Sequence, residues 1–404
     1  MIDIIDKTLC CGCWACSNVC PKSCINMRED QEGFLYPEVR KDDCVDCHLC
    51  EKVCPVLNTK EKRMPKKTFA AKNKDKKVVE KSSSGGVFFH FAKQVILEGG
   101  VVFGARFDKD WNVVHDYTDN VDGISQFMTS KYVQSQIGNT YSLVKDFLKS
   151  GRKVLFTGTP CQIGGLHNFL RKRYSNLLTM DFLCHGVPSP KVWKMYLHQE
   201  ANEYVASVQR AVGRNAVLHS LQSMSLIEDI NFREKSEGWQ KFRFVLRFAE
   251  PSCEGKRNSV LSSSSHNDNV YMKGFLNDLY LRPSCYKCKF KRFQSQSDIT
   301  IADYWAIARV RKEFYDRNGV SMVFINDEHA LGYLTPIVFD TVETRFEDTL
   351  SNKGLHELVE VNKYRANFFA KLDNTNDIKA LIAKYVEPSI IEKMIKKIKW
   401  LVKR

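Results

Sequence analysis

No stretch of about 18 apolar residues, the length that crosses a bilayer, occurs in this chain of 404 residues. Its opening, Met1-Ile2-Asp3, is not a basic segment running into an apolar one, so neither a membrane span nor a secretory leader is expected. No GxGxxG or P-loop is present, and no heptad or self-complementary patch marks an oligomer. Acid is the scarcer charge: 47 Asp and Glu stand against 61 Lys and Arg, a formal net charge of +14. An excess of that size raises nucleic acid, an anionic membrane or an acidic protein as partners. Much of it is gathered in two short stretches rather than spread over a folded face, which argues against nucleic acid and for an acidic electron carrier. Hydrophobic residues at 43% and charged residues at 27% are those of an ordinary globular protein with room for two or three domains.

Cysteine is abundant instead, with 15 in the chain. In the absence of a leader this points to a reducing cytoplasm, where thiols serve metals or catalysis rather than disulfides. Cys10, Cys13, Cys16 and Cys20 precede Pro21, and Cys44, Cys47, Cys50 and Cys54 precede Pro55. Both runs read C-x2-C-x2-C-x3-C-P, the spacing with which bacterial ferredoxins hold two 4Fe-4S clusters. Three thiolates spaced three residues apart wrap one face of a cuboidal cluster, and the fourth is carried by the proline turn to the other cluster. One cluster is therefore expected on Cys10, Cys13, Cys16 and Cys54, the other on Cys44, Cys47, Cys50 and Cys20. Zinc needs only four ligands and no repeated triplet. The chain is expected to move electrons.

The repeat delimits a dicluster ferredoxin module at residues 1–57. The lysine-rich stretch 58–77 reads as a basic linker, either a docking element or a plain solvated connection. The body begins at Ser82-Ser83-Ser84-Gly85-Gly86, followed by the helical pattern Val87, Phe88, Phe91, Val95, Ile96. Strands are predicted at Val101–Ala105 and Lys153–Phe156, a helix at about 140–150, and a serine-rich loop at Ser262–Ser265. From about residue 205 the sequence turns strand-like, as in Phe242, Phe244, Leu246 and Phe248. The expected fold class is α+β, a mixed α/β body. Its parts are 78–155 and 156–345, followed by a helical region 346–404. Within that region Ser389 to Arg404 reads as a basic amphipathic helix, packed on the body or resting peripherally on an anionic membrane.

Four more cysteines, Cys161, Cys184, Cys285 and Cys288, add up to one further 4Fe-4S cluster. On spacing alone they are also readable as buried small residues and an idle pair. Ser83-Ser84-Gly85-Gly86 before a helix suits an anion, or simply a capped tight turn. Ser130-Lys131-Tyr132-Val133-Gln134 suits a flavin or any surface strand. His185, next to Cys184, is a candidate proton donor or an ordinary structural histidine. Cys11, Cys24 and Cys253 have no partner by spacing and read as packing or loop residues.

Taken in order, Ser83-Ser84-Gly85-Gly86-Val87-Phe88, Ser130-Lys131-Tyr132-Val133-Gln134-Ser135 and Phe156-Thr157-Gly158-Thr159-Pro160-Cys161-Gln162-Ile163 resemble a known family. So do Cys184-His185-Gly186-Val187-Pro188-Ser189, Gly238-Trp239, Leu281–Cys288 and Ser297–Trp305. The family is the coenzyme F-420 hydrogenase/dehydrogenase beta subunit, in its bacterial form with a ferredoxin module in front. The resemblance covers about residues 80–310. It implies an FAD-dependent iron–sulfur oxidoreductase in which Cys161, Cys184, Cys285 and Cys288 hold the third cluster. It also implies flavin contacts at Ser83, Ser84, Gly85, Gly86, Ser130, Lys131, Tyr132, Gln134, Gly158, Thr159, Pro160 and Gln162. His185 or Lys131 then supplies a proton. Electrons would come from ferredoxin or another low-potential donor and pass to a small-molecule substrate or to the deazaflavin coenzyme. A link to polysaccharide synthesis is suggested by fused bacterial members. The alternative is an electron-transfer subunit that feeds a partner enzyme. Ala306 and Ser295 depart from the pattern, standing where glycine and arginine are common.

Overall fold

The computed structural model describes residues 1–212, 223–249 and 259–387. The tail helix expected at 389–404 and Cys253 lie outside the described residues. Strands β1 (Ile25–Glu29) and β2 (Leu35–Val39) form an antiparallel hairpin beside the short helices Ala15–Val19 and Leu49–Lys52. Each of those helices carries the third cysteine of its run. Each is entered through a left-handed residue, Trp14 (φ 64°) and His48 (φ 58°), so the backbone conformation repeats with the sequence.

The body is an eight-stranded sheet. Its strands are β3 (Lys67–Asn73), β4 (Val101–Phe107), β5 (Val113–Thr118), β6 (Val154–Thr157) and β7 (Leu177–Phe182). A separate antiparallel sheet follows, made of β8 (Ile227–Glu234), β9 (Arg243–Ala249) and β10 (Ser259–Ser265). The large sheet is completed by β11 (Ile299–Asp303), β12 (Ser321–Ile325) and β13 (Phe339–Glu343). Its order is β13-β3-β12-β11-β7-β6-β4-β5. Four successive strands, β11, β7, β6 and β4, are parallel, and the remaining pairings, three on one side and one on the other, are antiparallel. Parallel strands covered on both faces need continuous apolar runs, and Val154, Leu155 and Phe156 are fully buried. All five residues of β12 are buried as well. The small sheet packs on the long helix Pro190–Val212 through Trp193, Tyr196, Phe232, Phe244 and Tyr271.

Three expectations are corrected by this architecture. The basic stretch 58–77 is not a linker throughout: its second half is β3, an inner strand paired on both sides. Thr68, Ala70, Ala71 and Asn73 are buried while the lysines lie at its ends and rim. Ser262–Ser265 is not a loop but the end of β10, whose serines are held by the ladder to β9 although most of the strand is exposed. The boundary placed at 155/156 falls inside β6, since one sheet is built from both body segments.

The ferredoxin module is built into the body rather than tethered to it. Arg365 grips both carboxylate oxygens of Glu32, Asn18 donates to the Gly138 carbonyl at 2.7 Å, and Asn168 donates to that of Asn58 at 3.1 Å. Close approach depends on Gly165 in the helix Pro160–Leu170, where an added Cβ would sit 2.9 Å from the Cys13 Cβ and 3.0 Å from its Sγ. Glycine costs helix propensity there, about 1 kcal/mol relative to alanine, and that cost is borne where the module must touch. A Gly165→Leu variant should therefore lose about 1–3 kcal/mol through overpacking at this seam. Calorimetry of the anaerobic protein checks this; an unshifted unfolding midpoint would mean the seam is loose.

Candidate functional site

A parallel α/β sheet presents its loops at the carboxyl ends of its strands, where ligands gather. Adjacent strands β6 and β7 end just before Cys161 and Cys184. Cys161 occupies the first turn of the helix Pro160–Leu170, whose positive end favours a thiolate. A 3-10 turn, Pro283–Lys287, carries Cys285 and is followed by Cys288. All four line one cavity, together with Cys11, Asp181, His185 and Thr300. The Val187 amide donates to the Cys285 sulfur at 3.4 Å and the Phe290 amide to that of Cys288 at 3.4 Å. Amide-to-sulfur bonds of this kind tune an iron–sulfur centre.

Two further cavities lie in the ferredoxin module. One is lined by Cys10, Cys13, Cys16 and Cys54, again with Cys11. The other is lined by Cys20, Cys44, Cys47 and Cys50, with Cys24 beside Cys20 at 3.4 Å between sulfurs. Cys54 thus lines the cavity of the first run and Cys20 that of the second. Cys47 is exposed while Cys13, Cys16, Cys50 and Cys54 are buried, so the second cavity is the one nearest solvent. The thiols are held close enough to disfavour one another's charge: burial, then Cys10 and Cys54, pushes the Cys16 thiol up. Burial and then Cys288 drives Cys285 to about 12. A site dense in such thiols suits an iron cluster, whose positive charge reverses that penalty.

Cys11, expected as a packing or loop residue, is buried and lines two of the cavities, as does Val56. Its thiol faces Cys13 on one side and Cys161 on the other. The doublet Cys10-Cys11 was the available signal, but the cluster spacing leaves no role for its second member. Gly12 beside it adopts φ 67°, and a Cβ there would lie 2.7 Å from the Gln134 amide and 2.8 Å from the Arg282 guanidinium.

The remaining candidates separate into three groups. Ser130 donates from both its amide and its hydroxyl to the Ser83 hydroxyl, at 2.8 and 3.0 Å. Next to them Arg233, almost fully buried, pairs with Asp303 at the end of β11 and donates to the Tyr132 hydroxyl and the Ser83 carbonyl. Arg233 also lies over the rings of Phe242 and Trp305. The Arg233 Nε is a buried donor without a partner among the described residues. Neither Arg233 nor Asp303 was singled out from the sequence, because an arginine on a strand and an aspartate at its end carry no spacing signal. Lys131 donates to the Met128 carbonyl at 3.0 Å, and burial pushes its ammonium down to about 7, against the pull of Asp229.

Thr159, Pro160 and Gln162 serve the helix that carries Cys161. The Thr159 amide donates to the Gln162 side chain at 2.9 Å in a capping box, with Pro160 at the first helical position. Gln162 also donates to the Ser135 hydroxyl at 2.9 Å, and Gly158 leaves space for it. Gln134 faces the ferredoxin module, donating to the Cys11 carbonyl at 3.2 Å and accepting from Arg282 at 3.0 Å. Gly85 and Gly86 make the turn into the helix Val87–Leu97. A Cβ on Gly85 would strike the Ala71 carbonyl at 2.4 Å, and Gly86 has φ 78°. Ser84 donates to the Val320 carbonyl at 3.0 Å.

His185 stands on the wall of the body-cysteine cavity, its Nε2 2.5 Å from the Asp278 carboxylate. Its ring meets Phe275 edge-on, and Phe275 stacks on Tyr132 at 4.7 Å. Packed rings thus connect the wall of that cavity to the Ser83–Ser130–Arg233 group. Asp181, in the same cavity, accepts from Ser295 and Thr300 at 2.5 Å each, and burial raises it to about 6. The serine that departs from the family pattern is therefore the partner of a buried carboxylate. Among the described residues, no helix is long and apolar enough to cross a membrane.

Two family models match the chain. The model for the 4Fe-4S dicluster domain matches residues 9–58. That for the C terminus of the coenzyme F420 hydrogenase/dehydrogenase beta subunit matches residues 151–342. The coenzyme F420-dependent sulfite reductase of Methanocaldococcus jannaschii is 29% identical over 170 residues, 41% of this chain and 26% of that protein. A component of the F(420)H(2) dehydrogenase of Methanosarcina mazei is 23% identical over 172 residues, 40% of this chain and 48% of that one. The match thus spans about half of the second relative and about a quarter of the first. A 7Fe ferredoxin of Hydrogenibacillus schlegelii is 41% identical over 64 residues, 76% of its length. Among solved structures, a chain of the F420-reducing [NiFe] hydrogenase complex from Methanosarcina barkeri aligns over 80% of this chain and 91% of its own, with a TM-score of 0.43 and 16% identity. Residues 151–342 thus carry the C-terminal domain of the coenzyme F420 hydrogenase/dehydrogenase beta subunit, behind a 4Fe-4S dicluster domain at residues 9–58.

Proposed function

We propose that the chain is an iron–sulfur flavoprotein reductase. It takes electrons from a ferredoxin-like donor and delivers them to an organic substrate or a deazaflavin coenzyme, a glycan-related acceptor being among the substrates to screen. The observation that carries this is the succession of three cysteine quartets around three cavities, with Cys11 on the wall of two of them. On this reading Cys20, Cys44, Cys47 and Cys50 bind the outer cluster, Cys10, Cys13, Cys16 and Cys54 the inner one, and Cys161, Cys184, Cys285 and Cys288 a third. Clusters carry single electrons, and FAD is the cofactor that combines them into hydride chemistry.

The Ser83–Ser130–Arg233 group fits FAD: it offers hydroxyls, an arginine with an unpartnered Nε, and nearby Lys131, all suited to a dinucleotide phosphate. Lys131 would hold a proton exchangeable near neutral pH, and Asp278 would orient His185 at the cavity wall for the same task. A second reading, an electron-transfer component that supplies a partner enzyme, draws on the relative named as part of a dehydrogenase.

Protein purified without oxygen should carry about twelve irons and one FAD, and Cys161→Ser should lower the iron by about four. Cys11→Ser should leave it unchanged. About eight irons in the parent chain would remove the third cluster, and absence of flavin would favour the second reading.

Lys131→Met gives an independent check with a definite sign. Below pH 7 the ammonium is charged in folded and unfolded chains alike, so the burial penalty acts in full. Between about 7 and the ordinary 10.5 the folded chain releases its proton first and the penalty fades. The variant should therefore melt a few degrees higher than the parent at pH 6 and nearly with it at pH 10.5, while its kcat falls. Equal gains at both pH values would show that the lysine is not buried as a cation.

A further inference from the structure

Arg282 is 1% exposed, yet among the described residues it makes no ion pair. Its Nε donates to the Cys10 carbonyl at 2.8 Å, Nη1 to the Gln134 side chain at 3.0 Å, and Nη2 to the Leu35 carbonyl at 3.0 Å and to the Cys10 sulfur at 3.5 Å. The guanidinium lies over the Tyr36 ring at 4.2 Å. Cys285, a ligand of the body quartet, is three residues further on and donates its own amide to the Arg282 carbonyl at 2.9 Å. A buried cation with no counter-charge costs several kcal/mol, and neutral carbonyls and an amide do not supply one. Burial works against this charge, while Cys10, Tyr36, Cys11 and Cys285 hold it in place. The guanidinium thus touches the sulfur of Cys10 in one quartet, while its own backbone carbonyl holds Cys285 of another.

We propose that Arg282 is a positioning residue shared by the inner ferredoxin cluster and the body cluster, whose charge raises the reduction potential of both. A fixed cation stabilises the state with one more electron, so its loss makes reduction harder. The outer quartet, Cys20, Cys44, Cys47 and Cys50, has no contact with Arg282 and serves as an internal reference. The inference rests on the reading of Cys161, Cys184, Cys285 and Cys288 as a cluster site.

The test is a redox titration followed by electron paramagnetic resonance on the anaerobic full chain and on its Arg282→Met and Arg282→Lys variants, with iron counted in each. Arg282→Met with its full iron should show two centres at more negative midpoint potential and one unmoved, and Arg282→Lys should return most of the shift. Unchanged potentials in a fully loaded Arg282→Met protein, or an equal shift of all three centres, would overturn the proposal. If the parent chain carries only about eight irons, the body cluster is lost as a reading, and a shift confined to one of two centres still upholds the role at Cys10. Should the variants fail to fold, 15N-arginine labelling of the reduced parent chain decides. A 15N coupling at an inner centre supports the contact, and its absence overturns it.

Discussion

Everything in this molecule turns on keeping buried sulfurs together. Thiols packed into a low-dielectric site resist ionisation, by desolvation and by one another's charge, and Cys13, Cys16, Cys54, Cys184, Cys285 and Cys288 are all pushed up in this way. Such an arrangement is sustained only when positive charge and amide donors are delivered to the sulfurs. The fold does so from every side: backbone amides at Cys50, Cys285 and Cys288, a helix N-terminus at Cys161, and the guanidinium of Arg282 at Cys10.

The seam between module and body follows from the same constraint. Electron transfer demands that neighbouring centres be close, and closeness demands backbone without side chains. Gly12 and Gly165 meet that demand on the two sides of the seam, one against Arg282 and Gln134 and the other against Cys13. A flexible tether would satisfy connectivity but not distance. The fusion of module and body is accordingly rigid, with the Arg365–Glu32 pair at its edge.

The two N-terminal cysteine runs and the strand that leads to Cys161 were legible in the sequence, because ligand spacing and apolar runs are local patterns. What escaped is what only tertiary structure creates. The stretch 58–77 is lysine-rich, so its composition spoke for a solvated connection, while β3 within it buries Thr68 and Ala70 on one face and Ala71 and Asn73 on the other. β10 is nearly all serine at its end and is ordered by pairing with β9, not by its own propensity. Arg282, Arg233 and Asp303 gain meaning only through partners between 70 and 272 residues away. Gln134 sits in a stretch whose composition suits a flavin, yet its amide is engaged with Cys11 and Arg282 across the seam.

The body keeps its cysteine quartet and its arginine–carboxylate group apart yet adjacent. Cys161 and Cys184 follow β6 and β7, while the serine, arginine and aspartate group gathers at the end of the neighbouring β11 and the start of its partner β12, where Asp303 pairs with Ser321. Between them run Tyr132, Phe275 and His185, stacked and edge-on, with Asp278 fixing the last. Aromatic packing of this kind excludes water and fixes distance without adding charge. The buried cysteines then lie beside a buried arginine–carboxylate pair without drawing on the same cation. Arg233 is committed to Asp303 and Arg282 to Cys10. That separation of two buried arginines, one answered by a carboxylate and one by sulfur, gives the two sites their different electrostatics within a single sheet.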